Sequence, residues 1–183
     1  EQLARIPYAD PPARGVVPLR VNLSASFPRA ADQGPLGTCV GWALGYLQTF
    51  HENEERRLTP QSPGPAYSPL FVYHHARSPG DHDCQGGLSV AKALEVLQRH
   101  GISPIEAMPY SPDRCNESPS AEASSLARRY RITRFERIRE SDLEEVKTHL
   151  AARHPVVISA MVDDGFHGLQ SDVYSARSGQ SRG

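Results

Sequence analysis

The stretch DQGPLGTCVGWALGYLQTF, from Asp32 to Phe50, decides how the rest of the chain is interpreted. It holds a Gln-Gly pair, a proline, a second glycine and then Cys39, one of 3 cysteines in 183 residues. Beyond Cys39 the apolar residues recur at the spacing of a helix with one buried face. The pattern therefore predicts a helix that begins at Cys39, preceded by a tight turn.

A cysteine at the start of a helix lies in an unusual electrical environment. The unpaired N–H groups of the first turn carry partial positive charge, which stabilises a thiolate, the nucleophilic form of cysteine. The same N–H groups can donate to an oxyanion, and Gln33 is placed to supply a second donor from its side-chain amide. The alternative is an inert Cys39 in a core helix with Gln33 as a surface amide, and the local sequence leaves both interpretations open.

Composition limits the classes of partner. The chain has 20 basic and 21 acidic residues, so its net charge of -1 gives no electrostatic reason to expect nucleic acid or a membrane as partner. No apolar run approaches the length that spans a bilayer. The 16 prolines and 14 glycines predict extensive loops. An odd number of cysteines leaves at least one thiol unpaired within the chain.

Helical patterns come first along the chain. The polar segment HENEERRLTPQSPGP is expected to end the Cys39 helix and to form a loop. YSPLFVYHHAR then predicts a second helix, with Ser68 as its N-cap and Pro69 in its first position. LSVAKALEVLQRHG predicts a third helix that stops at Gly101.

Strand patterns follow later. YRITRFERI (130–138) and PVVISAMV (155–162) are rich in β-formers, and a weaker strand is expected at Val16–Leu23. Between the two later strands, a capping box that opens at Ser141 predicts a short helix. Its expected apolar face consists of Leu143, Val146 and Leu150. Helices first and strands later predict an α+β fold with two lobes.

The order of these segments resembles the papain-like cysteine peptidases. The family signature is a Gln-Gly followed by Cys-Gly-Ser-Cys-Trp. This chain keeps the glutamine, both glycines and the second cysteine, and departs at Leu36 and Val40. Two later stretches also resemble segments of the family, namely CQGGLSVAKALEVLQRHGISPIEAMPY and LEEVKTHLAARHPVVISAMVDDGFHGLQSDVYS. The similarity is closest to the bacterial branch of the family.

The resemblance implies a papain-like two-lobe fold. Residues 1–31 would form an extended N-terminal segment, residues 32–120 a helical lobe with the nucleophile, and residues 121–183 an antiparallel β-rich lobe that is incomplete. It also implies that Cys39 is the catalytic nucleophile and Gln33 the oxyanion-hole side chain. The substrate-binding residues that it implies are Gly86, Gly87, Leu88 and Ser89.

Such a peptidase also needs a histidine to pair with the thiolate and to protonate the leaving amine. The resemblance places this histidine on a strand after the Val173–Tyr174 turn, and the sequence ends at Gly183, before that position. His167 precedes the turn, and its simplest interpretation is a surface loop residue. We therefore expect the chain alone to be inactive and a second chain or a C-terminal fragment to supply the histidine.

The other histidines and cysteines predict neither a metal nor a cofactor. HHARSPGDHDC matches no standard zinc spacing. Cys84 and Cys115 lack their usual family partners, and the resemblance places both on the same lobe, where they either bond to each other or stay free. A disulfide would imply an oxidising compartment, and hence a secreted or periplasmic protein.

The leading hypothesis is a cysteine endopeptidase that hydrolyses peptide or protein substrates through a thioester on Cys39, without a cofactor. One alternative is a catalytically incomplete papain fold that binds peptides without turnover. A second alternative is another Cys-dependent acyl transfer, such as deamidation or transglutamination.

Overall fold

The computed structural model describes residues 3–12, 17–58, 66–139, 141–160 and 166. None of the helices in these ranges combines the length and apolarity needed to cross a membrane. The α-helices are α1 (Cys39–Arg56), α2 (Pro69–Ala76), α3 (Val90–Arg99), α4 (Ala121–Ala127) and α5 (Leu143–Ala151). Short 3-10 helices lie at Leu3–Arg5, Ser24–Ser26 and Pro112–Arg114.

The first helix, α1, begins where the sequence predicts but continues to Arg56, through the polar segment expected to end it. Two contacts stabilise the additional turns. Glu52 pairs with Arg56 at 2.8 Å, and the side-chain amide of Asn53 donates to the Ser26 carbonyl at 2.9 Å. Arg57 then adopts a left-handed conformation with φ of 52°, which ends the helix.

The second and third helices pack against α1 and complete a helical lobe. The predicted start of α2 is confirmed, because the Ser68 hydroxyl accepts from the Phe71 N–H at 3.3 Å and Pro69 is the first helical residue. A Cβ on Gly41 would lie 2.7 Å from the Pro69 carbonyl oxygen, so α1 and α2 approach more closely than a side chain allows. Gly101, with φ of 80°, follows α3 and confirms the predicted stop.

Two apolar clusters form the core, and α2 contributes side chains to both. The first cluster contains Leu36, Leu70, Phe71, Tyr73, Cys84, Met108, Ala123 and Ala127. The second contains Leu44, Tyr67, Val72, Ala76, Ala93, Val96, Leu97 and Ile102. Because it is buried on several sides, α2 is the central element of the helical lobe.

The strand predictions are wrong for the residues that the structure describes. Segments 17–23, 130–138 and 155–160 adopt no strand, and residue 16 of the first prediction and residues 161–162 of the last lie outside the described residues. Within the described ranges, β-pairing is limited to isolated bridges, for example a parallel bridge between Tyr8 and Arg137. A strand is defined by its hydrogen-bonded ladder, and no ladder joins 155–160 to another described segment.

The sequence patterns did not predict α4. The Ser120 hydroxyl accepts from the Ala123 N–H at 3.0 Å and caps this helix. Its buried residues, Ala123 and Ala127, are small, so the sequence shows no strong apolar stripe there. They enter the first apolar cluster, which attaches α4 to α2.

The last helix, α5, forms as predicted but with a different cap and a different buried face. Asp142, and not Ser141, caps it by accepting from two backbone N–H groups at 3.1 and 3.0 Å. Leu143 is 68% exposed, whereas Glu145 and His149 are buried. The predicted apolar face is therefore wrong at its first position.

Candidate active site

Cys39 is the first residue of α1, and its free thiol is exposed. The preceding residue, Thr38, is buried and forms no side-chain cap to the helix. The exposed thiol therefore lies beside the N–H groups of the first turn of an 18-residue helix. The Thr38 side chain does not cap these N–H groups.

Residues 33–38, named here the nucleophile loop, lead into this helix in a tight turn. Gly34 has φ of 59°, and its N–H donates to an Asp32 carboxylate oxygen at 2.7 Å. The side-chain amide of Gln33 donates to the Leu36 carbonyl at 2.9 Å, which draws the amide into the loop. An amide has two N–H groups, so one donor remains after this bond.

Tyr110 holds the two ends of the nucleophile loop together. Its hydroxyl donates to the Gln33 carbonyl at 2.5 Å and lies 2.8 Å from the Thr38 hydroxyl. The Trp42 ring packs edge-on against the Tyr110 ring at 4.8 Å. The positions of Gln33 and of the start of α1 are thus fixed by a residue more than seventy positions later in the chain.

Residues 81–87, named here the glycine loop, lie against the nucleophile loop. The Gly37 N–H donates to the Cys84 carbonyl at 2.9 Å, and a Cβ on Gly37 would lie 2.3 Å from the Gly86 carbonyl oxygen. The Gly86 N–H donates to the Asp81 carboxylate at 3.2 Å, and the Gly86 carbonyl oxygen lies 2.9 Å from the Tyr73 hydroxyl. A Cβ on Gly87 would meet no atom within 4 Å, and this glycine is exposed.

The two residues after the glycine loop have structural contacts. Leu88 is half-buried and packs against both apolar clusters. The Ser89 hydroxyl accepts from the Lys92 N–H at 3.4 Å and caps α3. The structure therefore ties Leu88 to the core and Ser89 to the start of α3.

Cys84 and Cys115 form a disulfide with a Cα–Cα distance of 6.3 Å. Cys84 is fully buried in the first apolar cluster, which also contains Leu36, one of the positions where the sequence departs from the papain-like signature. The bond joins the glycine loop to a turn 31 residues later. It also anchors the carbonyl that Gly37 contacts.

The papain family of cysteine proteases matches residues 72–182, more than half of the chain. This chain belongs to the papain family. The match begins after the nucleophile loop, so the assignment of Cys39 rests on its own position and surroundings.

Solved papain-like structures extend the similarity. Xylellain, a cysteine protease from Xylella fastidiosa, is 25% identical with a TM-score of 0.69 over 81% of this chain and 59% of that one. Digestive procathepsin L 3 of Tenebrio molitor larval midgut is 18% identical, with a TM-score of 0.61 over 81% of this chain and 45% of that one. The predicted papain-like fold and its likeness to the bacterial branch are confirmed.

A curated relative is a peptidase C1-like protein of Acanthamoeba polyphaga mimivirus, 24% identical over an alignment of 143 residues that covers 74% of this chain and 45% of the relative. The chain thus spans less than two thirds of each relative. For the described residues this agrees with a papain fold whose second lobe is incomplete.

No hydrogen bond or ion pair joins Cys39 to an imidazole within the described residues, and His167 lies outside them. His75 stacks on His100 at 4.6 Å and packs on Phe71 at 4.8 Å. Burial, with the neighbouring His100 and His74, lowers the pKa of His75 to about 4, so this ring is neutral near pH 7. Among described residues, no group of three or more His, Cys, Asp and Glu side chains has metal-binding geometry.

Sequence reasoning missed the residues that support the two loops. Tyr110 supports the nucleophile loop, and Asp81 and Tyr73 support the glycine loop, in each case through side-chain hydrogen bonds. Each belongs to a segment that local patterns interpret as a loop or a core helix. The only local signal is the proximity of Asp81 to the glycine pair, which resembles an ordinary turn.

Proposed function

We propose that the protein is a cysteine peptidase that cleaves peptide bonds with the Cys39 thiolate. The observation that carries the proposal is the exposed, free thiol on the first residue of α1. Membership of the papain family supports the reaction class. The disulfide supports an oxidising compartment.

In the proposed reaction, the Cys39 sulfur forms a bond to the carbonyl carbon of an extended peptide, and the carbonyl oxygen becomes an oxyanion. The N–H groups of the first turn of α1 and the remaining N–H of the Gln33 amide donate to that oxyanion. The C–N bond then breaks, the amine leaves with an added proton, and an acyl thioester remains on Cys39. Water hydrolyses the thioester and regenerates the thiol.

The leaving amine takes its proton from a general acid, which is a histidine in this family. In the proposal this histidine comes from outside the described residues or from a second chain. The second candidate function, a binding module without turnover, is favoured by one observation. No described imidazole is bonded to Cys39.

The proposal is tested by alkylation, because this measurement does not require turnover. The second-order rate constants for a peptidyl epoxide and for iodoacetamide are measured on the folded chain and on the same chain in urea without reductant. Cys39 is the free thiol in both states. We expect the epoxide to label Cys39 faster in the folded state than in urea, and Cys39→Ala to abolish labelling.

Mass spectrometry identifies the labelled residue. Equal epoxide rates in the folded and unfolded states would contradict the proposal, since the fold would then contribute nothing to the reaction. Preferential labelling of Cys84 or Cys115 would contradict the assignment of Cys39. Product analysis on a glutamine-containing peptide separates hydrolysis from deamidation and transglutamination.

A further inference from the structure

The glycine loop is attached to the helical lobe at several points. The Arg77 guanidinium donates to the Asp81 carbonyl at 3.3 Å, and the Asn116 amide donates to the His82 carbonyl at 2.8 Å. The disulfide holds Cys84. These contacts fix the first half of the loop, from residue 81 to residue 84.

The second half of the loop depends on the Asp81 side chain. Its carboxylate accepts from the Gly86 N–H at 3.2 Å and from the Tyr73 hydroxyl. The same hydroxyl lies 2.9 Å from the Gly86 carbonyl oxygen. One carboxylate and one phenol therefore contact both main-chain groups of Gly86.

The Tyr73 phenol and the Asp81 carboxylate are both held in place. Tyr73 is fully buried within α2, and its ring belongs to the first apolar cluster. The hydrogen bond from Tyr73 lowers the pKa of Asp81, which keeps the carboxylate ionised and able to accept near neutral pH. A hydrogen bond to a charged acceptor is stronger than a neutral one.

Gly86 has no freedom to move toward its neighbours. A Cβ on Gly86 would lie 2.8 Å from an Asp81 carboxylate oxygen, and its own carbonyl fills the space beside Gly37. Gly87 differs, because it is exposed and its main chain makes no hydrogen bond within the described residues. The Gly87 N–H lies in the same planar peptide unit as the Gly86 carbonyl, so the direction of this N–H follows from the position of Gly86.

We propose that Asp81, held by Tyr73, is a positioning residue that orients the Gly87 main chain for an extended peptide substrate. The inference rests on the proposed function. In it the Gly87 N–H, whose direction is set by Gly86, donates to a carbonyl of the substrate main chain, as in the addition of a strand. Asp81 touches neither the substrate nor Cys39, and it acts through Gly86.

The test uses the same two reagents on variants of the full 183-residue chain. The peptidyl epoxide needs the Gly87 edge, whereas iodoacetamide is too small to use it. We expect Asp81→Ala to lower the epoxide rate constant about tenfold or more, because a displaced Gly87 would no longer position the peptidyl part of the reagent. The iodoacetamide rate constant is expected to stay unchanged. Tyr73→Phe, which keeps the ring, is expected to lower the ratio of the two rates by a smaller factor.

A conservative variant provides rescue. In Asp81→Asn the amide oxygen still accepts from the Gly86 N–H, and the amide nitrogen donates to the Tyr73 oxygen, whose hydrogen then goes to the Gly86 carbonyl. We expect this variant to retain most of the wild-type ratio. Tyr67→Phe is the matched control for Tyr73→Phe, since Tyr67 is a buried tyrosine of the second cluster.

An Asp81→Ala protein with the wild-type ratio would overturn the inference, and so would an equal fall in both rates. If Asp81→Ala does not fold, as judged by circular dichroism, the ratio of Tyr73→Phe against Tyr67→Phe decides instead, and equal ratios overturn the inference. A wild-type protein that reacts with the epoxide no faster than in urea would overturn the proposed function, and the inference with it.

Discussion

Gly37 lies at the contact between the nucleophile loop and the glycine loop. A Cβ there would lie 2.3 Å from the Gly86 carbonyl oxygen, a backbone atom that cannot rotate away. We predict that Gly37→Ala destabilises the protein by about 1–3 kcal/mol, the usual cost of overpacking. The free energy of unfolding in urea measures this.

Gly80→Ala is the matched control for this prediction. A Cβ on Gly80 would meet no atom within 4 Å, so this substitution is expected to change stability by less than about 0.5 kcal/mol. If the two variants unfold at the same urea concentration, the close contact between the loops is not a constraint on the fold. The comparison separates the loss of a glycine from the loss of space.

Single residues were predictable where their role is local. The Ser68 cap and the Gly101 stop follow from rules that span a few positions, and both are confirmed. The start of α1 at Cys39 is confirmed for the same reason. Tyr110 was not predictable, because its contacts with Gln33 and Thr38 join positions 77 and 72 residues apart.

At the scale of elements, a bidentate ion pair connects the end of α1 to the turn after α5. The Arg153 guanidinium donates to both carboxylate oxygens of Glu54, at 2.8 and 2.7 Å. The Glu54 carboxylate also accepts from the Ser26 hydroxyl. The hydrogen bonds from Arg153 and then Ser26 lower the pKa of Glu54 to about 2.

This shift predicts a pH dependence of stability. Because the pKa of Glu54 is lower in the folded chain than its usual 4.5, the pair stabilises fully above pH 4.5 and loses its effect as the pH falls toward 2. Unfolding of the wild type and of Glu54→Gln is measured between pH 2 and 6. We expect the two stability curves to differ at pH 6 and to converge at the acid end.

Glu117→Gln is the matched control for Glu54→Gln. Glu117 forms an ion pair with Arg114 at 2.7 Å, but the two residues are only three positions apart and lie in one exposed turn. Losing a local exposed pair is expected to change stability little. Equal effects of the two substitutions at pH 6 would contradict a stabilising connection between α1 and α5.

Helices were predicted better than strands for a physical reason. A helix satisfies its hydrogen bonds within one segment, so caps and periodicity specify α2 and α3 almost completely. A strand needs a partner elsewhere in the chain, and β-forming residues in 130–138 and 155–160 do not supply one. The burial of Glu145 in α5 was not predictable from helix periodicity for the same reason, since its ion-pair partner Arg139 lies outside the helix.

At the scale of the whole molecule, the helical lobe contains the start of α1, the glycine loop and most residues of the two apolar clusters. α2 contributes side chains to both apolar clusters, and the disulfide lies within this lobe. The later residues up to 160 contribute mainly α4, α5 and isolated contacts such as the Tyr8–Arg137 bridge. The chain covers 59% of xylellain.

We predict that the 183-residue chain by itself does not hydrolyse peptides. Removing the histidine of a catalytic triad costs about six orders of magnitude in kcat, whereas a helix N-terminus stabilises an exposed anion by only about 0.3–1 kcal/mol. Cys39 has that helix terminus, but no described imidazole is bonded to it. The thiolate would then lack both an ion-pair partner and a proton donor for the leaving amine.

The measurement is hydrolysis of a panel of fluorogenic peptides by the purified chain, with Cys39→Ala as the control for background. The alkylation assay, run on the same preparation, shows that the thiol is intact and the fold is present. We expect no turnover above the control, and we expect turnover to appear when a polypeptide that carries the remainder of a papain-like second lobe is added. Clear Cys39-dependent hydrolysis by the chain alone would contradict the prediction, because a histidine within the chain would then serve as the base. His167, which lies outside the described residues, is the first to replace in that case, and His167→Ala would abolish the activity.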